Sequence, residues 1–246
     1  MDMVVEADRL ARRFASVTAL AGLNLQIGAG EAVAVLGPNG AGKSTLLRLL
    51  GTLLRPTSGT LRLFGHSVSD ATAAVRRRIG VLSHQSFLYP DLSPTENLDF
   101  YARMFGVHDA GARVRQLLDL VGLVGWAHRP VRTLSRGLEQ RCALARAILH
   151  QPDLILLDEP FTGLDVDAAN TLSSILVNEH KRGTTLLMVT HDLARGLEIC
   201  RRAVVLVAGE LRDDVEVTGG ARVSFETRYR EIVHSQPNGE SEGQGS

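Results

Sequence analysis

Gly37-Pro38-Asn39-Gly40-Ala41-Gly42-Lys43-Ser44-Thr45 is a glycine-rich run closed by an ammonium and two hydroxyls. Glycines let consecutive backbone N–H groups turn inward on an anion, Lys43 can reach the β- and γ-phosphates, and the Ser44 hydroxyl suits Mg²⁺. The chain has 27 Lys+Arg, of which only Lys43 and Lys181 are lysines, so a lysine at this point is not compositional background. The chemistry offered is polyphosphate binding. Further on, Asp158 and Glu159 stand side by side after the apolar run Leu154-Ile155-Leu156-Leu157. A strand sends successive side chains to opposite faces, so one carboxylate can hold a metal while the other faces the nucleophile. Gln85 and His191 each follow another short apolar run.

The elements around these residues decide whether the pattern means anything. Ala32-Val33-Ala34-Val35-Leu36 reads as a buried strand and Leu46-Leu47-Arg48-Leu49-Leu50 as a helix, the context that makes the glycine run a phosphate loop. The helix N-terminus behind the loop adds roughly half a positive charge. Residues 3–36 read as β structure with turns, and Phe14 lies on it. An aromatic there could stack on a base, although position alone favours core packing. Strands follow over 60–65 and 78–83, the latter delivering His84-Gln85. Helices are expected from the start signals in Asp91–Glu96 to Gly106, over about 110–121, and from Thr133-Leu134-Ser135-Arg136-Gly137, where Ser135 can cap. Five of the chain's 11 aromatics fall between Phe87 and Phe105, a face expected to be internal core first and a docking surface second. Residues 166–182 read as helix and 184–189 as strand, which puts His191 where ligands lie in an open parallel sheet. A strand over 203–207, a hairpin at 208–210 and a short helix near 226–233 close the pattern. Residues 235–246 cannot bury anything and are expected to be disordered.

Composition narrows the classes. A chain of 246 residues can bury one substantial α/β core. Cys142 and Cys200 make no disulfide framework, so a reducing compartment is the default. Net charge is zero and the pI about 7.1, which gives no electrostatic footprint for nucleic acid, and Arg76-Arg77-Arg78 and Arg12-Arg13 read as solvated faces. No apolar run approaches a membrane span and the start does not read as a signal peptide, so a cytoplasmic protein is expected, with any membrane span supplied by a partner.

With the phosphate loop, Gln85, Leu134-Ser135-Arg136-Gly137, Asp158-Glu159, Gly163-Leu164-Asp165 and His191 in this order, the chain resembles the ATP-binding subunit of ABC transporters from about residue 3 to 215. The resemblance implies an α/β fold: a P-loop NTPase (RecA-like) core with an antiparallel β subdomain and an inserted α-helical lobe over about 86–150, all within one domain, 1–234. It also implies ATP and Mg²⁺ as cofactors. Phe14 would stack on adenine. Gly37, Pro38, Asn39, Gly40, Ala41, Gly42, Lys43, Ser44 and Thr45 would hold phosphates, with Ser44, Gln85 and Asp158 at the metal. Glu159 would be the general base, His191 the switch histidine, and Gln85 the coupling between metal and lobe. Ser135 and Gly137 would meet the γ-phosphate of a facing subunit, and Asp165 would cross to it. The implied partners are a second copy in a head-to-tail dimer and an integral membrane permease, placing the chain peripherally on the cytoplasmic face of the inner membrane, with no nucleic acid.

The family pattern Leu-Ser-Gly-Gly-Gln is Leu134-Ser135-Arg136-Gly137-Leu138 here. That departure, with Glu96–Arg103, Glu159–Asp165 and the short C-terminus, resembles the haem exporter ATPase of cytochrome c maturation, with haem-handling membrane proteins as further partners. Exporter ATPases of drugs, lipids or polysaccharides share much of this. A soluble ABC protein acting on ribosomes or DNA resembles two tandem units or one unit split by a coiled coil, and neither is present. A non-hydrolysing sensor is disfavoured by Glu159 and His191.

Overall fold

The structure is a computed structural model that describes residues 2–70, 72–83, 85–218 and 221–234. The expected disordered tail, 235–246, and His84 lie outside the described residues. In chain order the elements are β1 (Met3–Phe14), β2 (Val17–Gly28), β3 (Ala32–Leu36), α1 (Lys43–Leu50), β4 (Ser58–Leu63), β5 (His66–Ser67), α2 (Ala73–Arg76) and β6 (Ile79–Leu82). There follow α3 (Pro94–Phe105), α4 (Ala110–Leu120), α5 (Arg136–Ile148), β7 (Leu154–Asp158), α6 (Val166–Lys181), β8 (Thr185–Val189), α7 (Leu193–Ile199), β9 (Arg202–Val207), β10 (Glu210–Glu216) and α8 (Ala221–His234).

Two sheets organise the chain. A small antiparallel sheet has the order β2-β1-β4-β5, and a six-stranded sheet has the order β10-β9-β3-β8-β7-β6, parallel except for the edge strand β10. This is the expected α/β core with an antiparallel subdomain. In sequence, Val4-Val5 and Leu10–Phe14 look like separate runs. They are one strand, interrupted by a register shift where Arg9 takes φ 46°.

The large sheet is covered on both faces, as parallel sheets are. Alternation in β3 sends Val33 and Val35 into a core shared with α1 and the small sheet, and Ala34 and Leu36 into a core shared with the helices. In β7, Leu154 and Leu156 face the first core, Ile155 and Leu157 the second. All four are fully buried, and truncating Leu157 to alanine is expected to cost about 2–5 kcal/mol.

Between β6 and β7 the period changes to helical. α3 begins with a capping box: Ser93 accepts from the Glu96 N–H, and Glu96 accepts from the Ser93 N–H at 2.8 Å, with Pro94 in the first turn and a left-handed Gly106 at its end. The buried Asn97 carboxamide accepts from the Tyr89 N–H at 2.8 Å and donates to the carbonyls of Tyr89, Leu92 and Ser93. The connector that follows Gln85 is thereby fastened to α3. It is also held by Arg146, which donates to the Val81 carbonyl at 2.5 Å and lies over the rings of Phe87 and Tyr101.

Three expectations change. The aromatic face is only partly internal: Phe87, Tyr89 and Phe100 are each more than 40% exposed, beside an exposed Met104, whereas Tyr101 and Phe105 are half-buried, Tyr101 against the core that Leu98 and Ala102 of α3 also enter. Tyr89 and Phe100 still pack edge to face at 5.1 Å. Phe14 does not pack in the core either. It ends the β1–β2 hairpin opposite Val17, 40% exposed, under the Arg12 guanidinium at 4.6 Å. The last helix starts earlier than its charge pattern suggests, at Ala221, since Phe225 is buried against the sheet. Among the described residues no helix is long and apolar enough to cross a membrane.

Candidate functional site

A parallel sheet aligns its carboxyl ends, so the loop after β3, Gln85 after β6, Asp158 at the end of β7 and His191 after β8 emerge at one edge. The loop is shaped by its glycines. Gly37 (φ 148°) and Gly42 (φ 99°) sit where a Cβ would lie 2.0 Å from the Leu206 carbonyl oxygen and 2.3 Å from the Ala19 carbonyl oxygen. Any side chain would force the loop off β9 and β2. Lys43, 9% exposed, donates to the carbonyls of Gly37 and Pro38 at 2.7 and 2.8 Å. Burial pulls its pKa below the ordinary lysine value, while Glu159 and Asp158 pull it back up. The ammonium is thus held under the loop by oxygens that phosphate oxygens can replace.

Asn39, Ser44, Asp158, Glu159, Thr162 and His191 line one cleft of about 620 Å³. Strand alternation alone would have put Asp158 and Glu159 on opposite faces. They share the cleft because β7 ends at Asp158 and Glu159 turns out of it at φ 49°, its N–H tied to the Val189 carbonyl of β8 at 2.9 Å. Its carboxylate accepts from His191, with Nδ1 at 2.8 Å and the backbone N–H at 3.4 Å.

The other expected residues stand around this group. Gly37, Pro38, Gly40, Ala41 and Gly42 form the backbone cradle, and Thr45 is half-buried on α1. Gln85 is exposed, its carbonyl accepting from the Ser83 hydroxyl at 2.9 Å, and the adjacent Ser86 reaches the cleft. Ser135 caps α5 by accepting from the Leu138 N–H at 3.4 Å, with Gly137 in the first turn. Asp165 caps α6 by accepting from the Ala168 N–H at 2.7 Å. Phe14 is not among the residues that line the cleft.

The far wall was not anticipated: Arg136, Glu139 and Gln140 line it. Their i, i+3, i+4 spacing, counted from Arg136 just after the cap, is the signal that could have found them. Gln140 donates to the Pro160 carbonyl at 3.2 Å, and the Arg136 guanidinium lies so close over Gly163 that a Cβ there would meet it at 2.9 Å. Leu138, where the family pattern has glutamine, packs toward the core.

A glycine loop between a buried strand and a helix, facing paired carboxylates across a parallel sheet edge, defines a P-loop nucleoside triphosphatase. The family described as ABC transporter matches residues 20–162, and the chain belongs to it as an ATP-binding subunit and an ATPase. The chain is 35% identical to the ABC transporter ATP-binding protein NatA of Bacillus subtilis (strain 168), over 79% of this chain and 80% of that protein. It is 36% identical to the Nod factor export ATP-binding protein I of Paraburkholderia xenovorans (strain LB400), over 85% and 69%. With the daunorubicin/doxorubicin resistance ATP-binding protein DrrA of Streptomyces peucetius the identity is 39%, over 84% and 63%. Among solved structures, a dimeric ATP-binding cassette in a post-hydrolysis state, bound to ADP and phosphate, superposes with a TM-score of 0.80 at 28% identity, covering 87% of this chain and 99% of that one.

Proposed function

We propose that this chain is the ATP-hydrolysing subunit of an exporter, working as a head-to-tail pair of copies bound peripherally to the cytoplasmic face of an integral membrane permease, and that residues 1–234 form its single ATPase domain. The observation that carries this reading is the convergence of Ser44, Asp158, Glu159 and His191 on one cleft at the phosphate loop, in a chain several of whose relatives carry the names of export and drug-resistance proteins, although another is named for sulfate/thiosulfate import.

In this reading the loop N–H groups and Lys43 take the phosphates, and Phe14 offers the adenine an exposed ring face. Ser44, Asp158 and Gln85 would hold Mg²⁺. A hydroxyl, a carboxylate and an amide carbonyl are the hard oxygen donors this ion takes, and its charge would neutralise the β- and γ-oxygens. Glu159 takes a proton from water as the water oxygen bonds to the γ-phosphorus and the bond to the β–γ bridging oxygen breaks, leaving ADP and phosphate. His191 orients the Glu159 carboxylate through the 2.8 Å contact. Ser135 and Gly137 at the start of α5 face the γ-phosphate of the partner copy, and Asp165, by capping α6, shapes the loop that crosses to it.

The cargo is read in two ways. Haem for cytochrome c assembly follows from the resemblance of Leu134-Ser135-Arg136-Gly137 and its companions, and would bring haem-handling membrane proteins as partners. A drug, lipid or polysaccharide is the alternative cargo, and relatives are named for Nod factor export and for daunorubicin/doxorubicin resistance. Deleting the gene separates them. Loss of c-type cytochromes with b-type ones spared assigns haem, because only the former need covalent haem attachment outside the cytoplasm. Normal c-type cytochromes in the deletion strain leave the general exporter.

A further inference from the structure

Two side chains of α5 reach across to the loop that leads away from Glu159. Gln140 donates to the Pro160 carbonyl at 3.2 Å. The Arg136 guanidinium lies over Gly163, where a Cβ would meet Cζ and Nε at 2.9 Å each and Nη1 at 3.2 Å. Gly163 has a φ of 75°, so the missing side chain serves twice: it permits the left-handed turn and leaves the room that the guanidinium fills. The start of α5 also rests on the far end of the same loop, since a Cβ at Gly137 would touch Ala168 of α6 at 3.6 Å and Leu164 at 4.0 Å.

Glu159 is what this loop holds. Its backbone sits at φ 49°, a region that a residue with a side chain keeps only where its neighbours enforce it. Its N–H is tied to the Val189 carbonyl at 2.9 Å, and its own carbonyl accepts from the Thr162 N–H at 3.2 Å. Thr162 is the residue before Gly163, so the guanidinium presses one peptide unit away from the hydrogen bond that closes the turn. From the other side Arg195 of α7 lies over the Phe161 ring at 5.4 Å.

We propose that Arg136 is a positioning residue for Glu159: by packing on Gly163 it holds the turn from Glu159 to Thr162, and with it the direction of the carboxylate in the cleft. The family pattern has glycine where this chain has Arg136, so the device belongs to this chain and not to the motif. The inference rests on the reading of Glu159 as general base. A base acts in the transition state, whereas the phosphate loop holds ATP without it, so Arg136 governs turnover and leaves affinity alone.

The test measures kcat at saturating MgATP, MgATP affinity by calorimetry and the thermal midpoint on the full chain. Arg136→Gly is expected to lower kcat about 10- to 100-fold, the range for a displaced reacting group, with affinity within about twofold. Its midpoint should not change, because Arg136 is exposed. Arg136→Gln, whose amide plane reaches the place of Nε, should recover part of the loss, and Arg136→Lys, charged but not planar, should recover none. Gly163→Ala drives a Cβ into the guanidinium, so its kcat loss should be smaller in the Arg136→Gly background; the strain of a left-handed alanine is common to both and cancels. Wild-type kcat in Arg136→Gly, additive losses in the double variant, or recovery by lysine instead of glutamine would each overturn the proposal. So would weakened affinity with unchanged kcat, which would make Arg136 a nucleotide contact. Wild-type hydrolysis by Glu159→Gln would instead remove the reading of Glu159 on which the proposal rests.

Discussion

His191 Nδ1 lies 2.8 Å from Glu159 Oε2, a contact between residues 32 positions apart that is made at the ends of two adjacent strands. Asp158 is in register with Val189 in β7 and β8, so the residues just past each strand end are neighbours. The Glu159 carboxylate is 27% exposed and the His191 ring 70%, so the carboxylate is sheltered while its holder remains open to whatever occupies the cleft. In the proposed reading this is the histidine that responds to the γ-phosphate.

Replacing Glu159 with glutamine keeps the shape and removes the carboxylate proposed as the base. ATP binding should persist, turnover should fall by about 10²- to 10⁴-fold, and the ATP-bound protein should accumulate as a dimer on a sizing column. Wild-type hydrolysis by purified Glu159→Gln would make the assignment wrong.

Lys43→Ala removes the ammonium now parked on the Gly37 and Pro38 carbonyls. Its contacts to β- and γ-phosphate are made in ground and transition states alike, so ATP affinity should fall along with turnover. Calorimetry returning the wild-type dissociation constant would contradict this.

Phe14 offers its ring face rather than a hydrogen-bonding edge, so ATP and GTP should be only weakly distinguished and Phe14→Ala should weaken both. The ring is 40% exposed, so thermal stability should hardly change. Retained nucleotide affinity with a lowered midpoint would return Phe14 to a packing role.

Burial pushes the His150 pKa down to about 4 from 6.5; its Nε2 faces the Ile79 carbonyl at 3.1 Å and its ring stacks on Phe105. As pH falls through that window the unfolded chain takes the proton first. Stability is therefore intact above 6.5 and lost progressively toward 4, by at most about 3 kcal/mol from this residue. In denaturant titrations His150→Phe, which keeps the stacking, should flatten the slope between these two values; an unchanged slope would rule His150 out as its source.

The exposed face of α3 has apolar anchors beside charge, with Phe100 and Met104 next to Glu96, Asp99 and Arg103 around a groove of about 600 Å³. Aromatic anchors dominate interface energy. A Phe100→Asp protein should lose membrane association while binding ATP normally, measured by cofractionation with membranes; undiminished cofractionation would move the permease contact elsewhere.

Local chemistry was legible in the chain itself. The glycine loop, the strand before it and the helix start within Asp91–Glu96 are short-range patterns, set by backbone freedom, hydrogen-bonding caps and hydrophobic period, and they stand where the sequence put them. What needed the tertiary structure was everything set by which strand lies beside which. Strand order brings His191 to Glu159 and Arg136 over Gly163, and a single left-handed residue turns Glu159 into the cleft of Asp158 against the period-2 rule. Exposure of the aromatic face and of Phe14 also came only from the fold, because an apolar side chain in sequence does not say whether a neighbour will cover it.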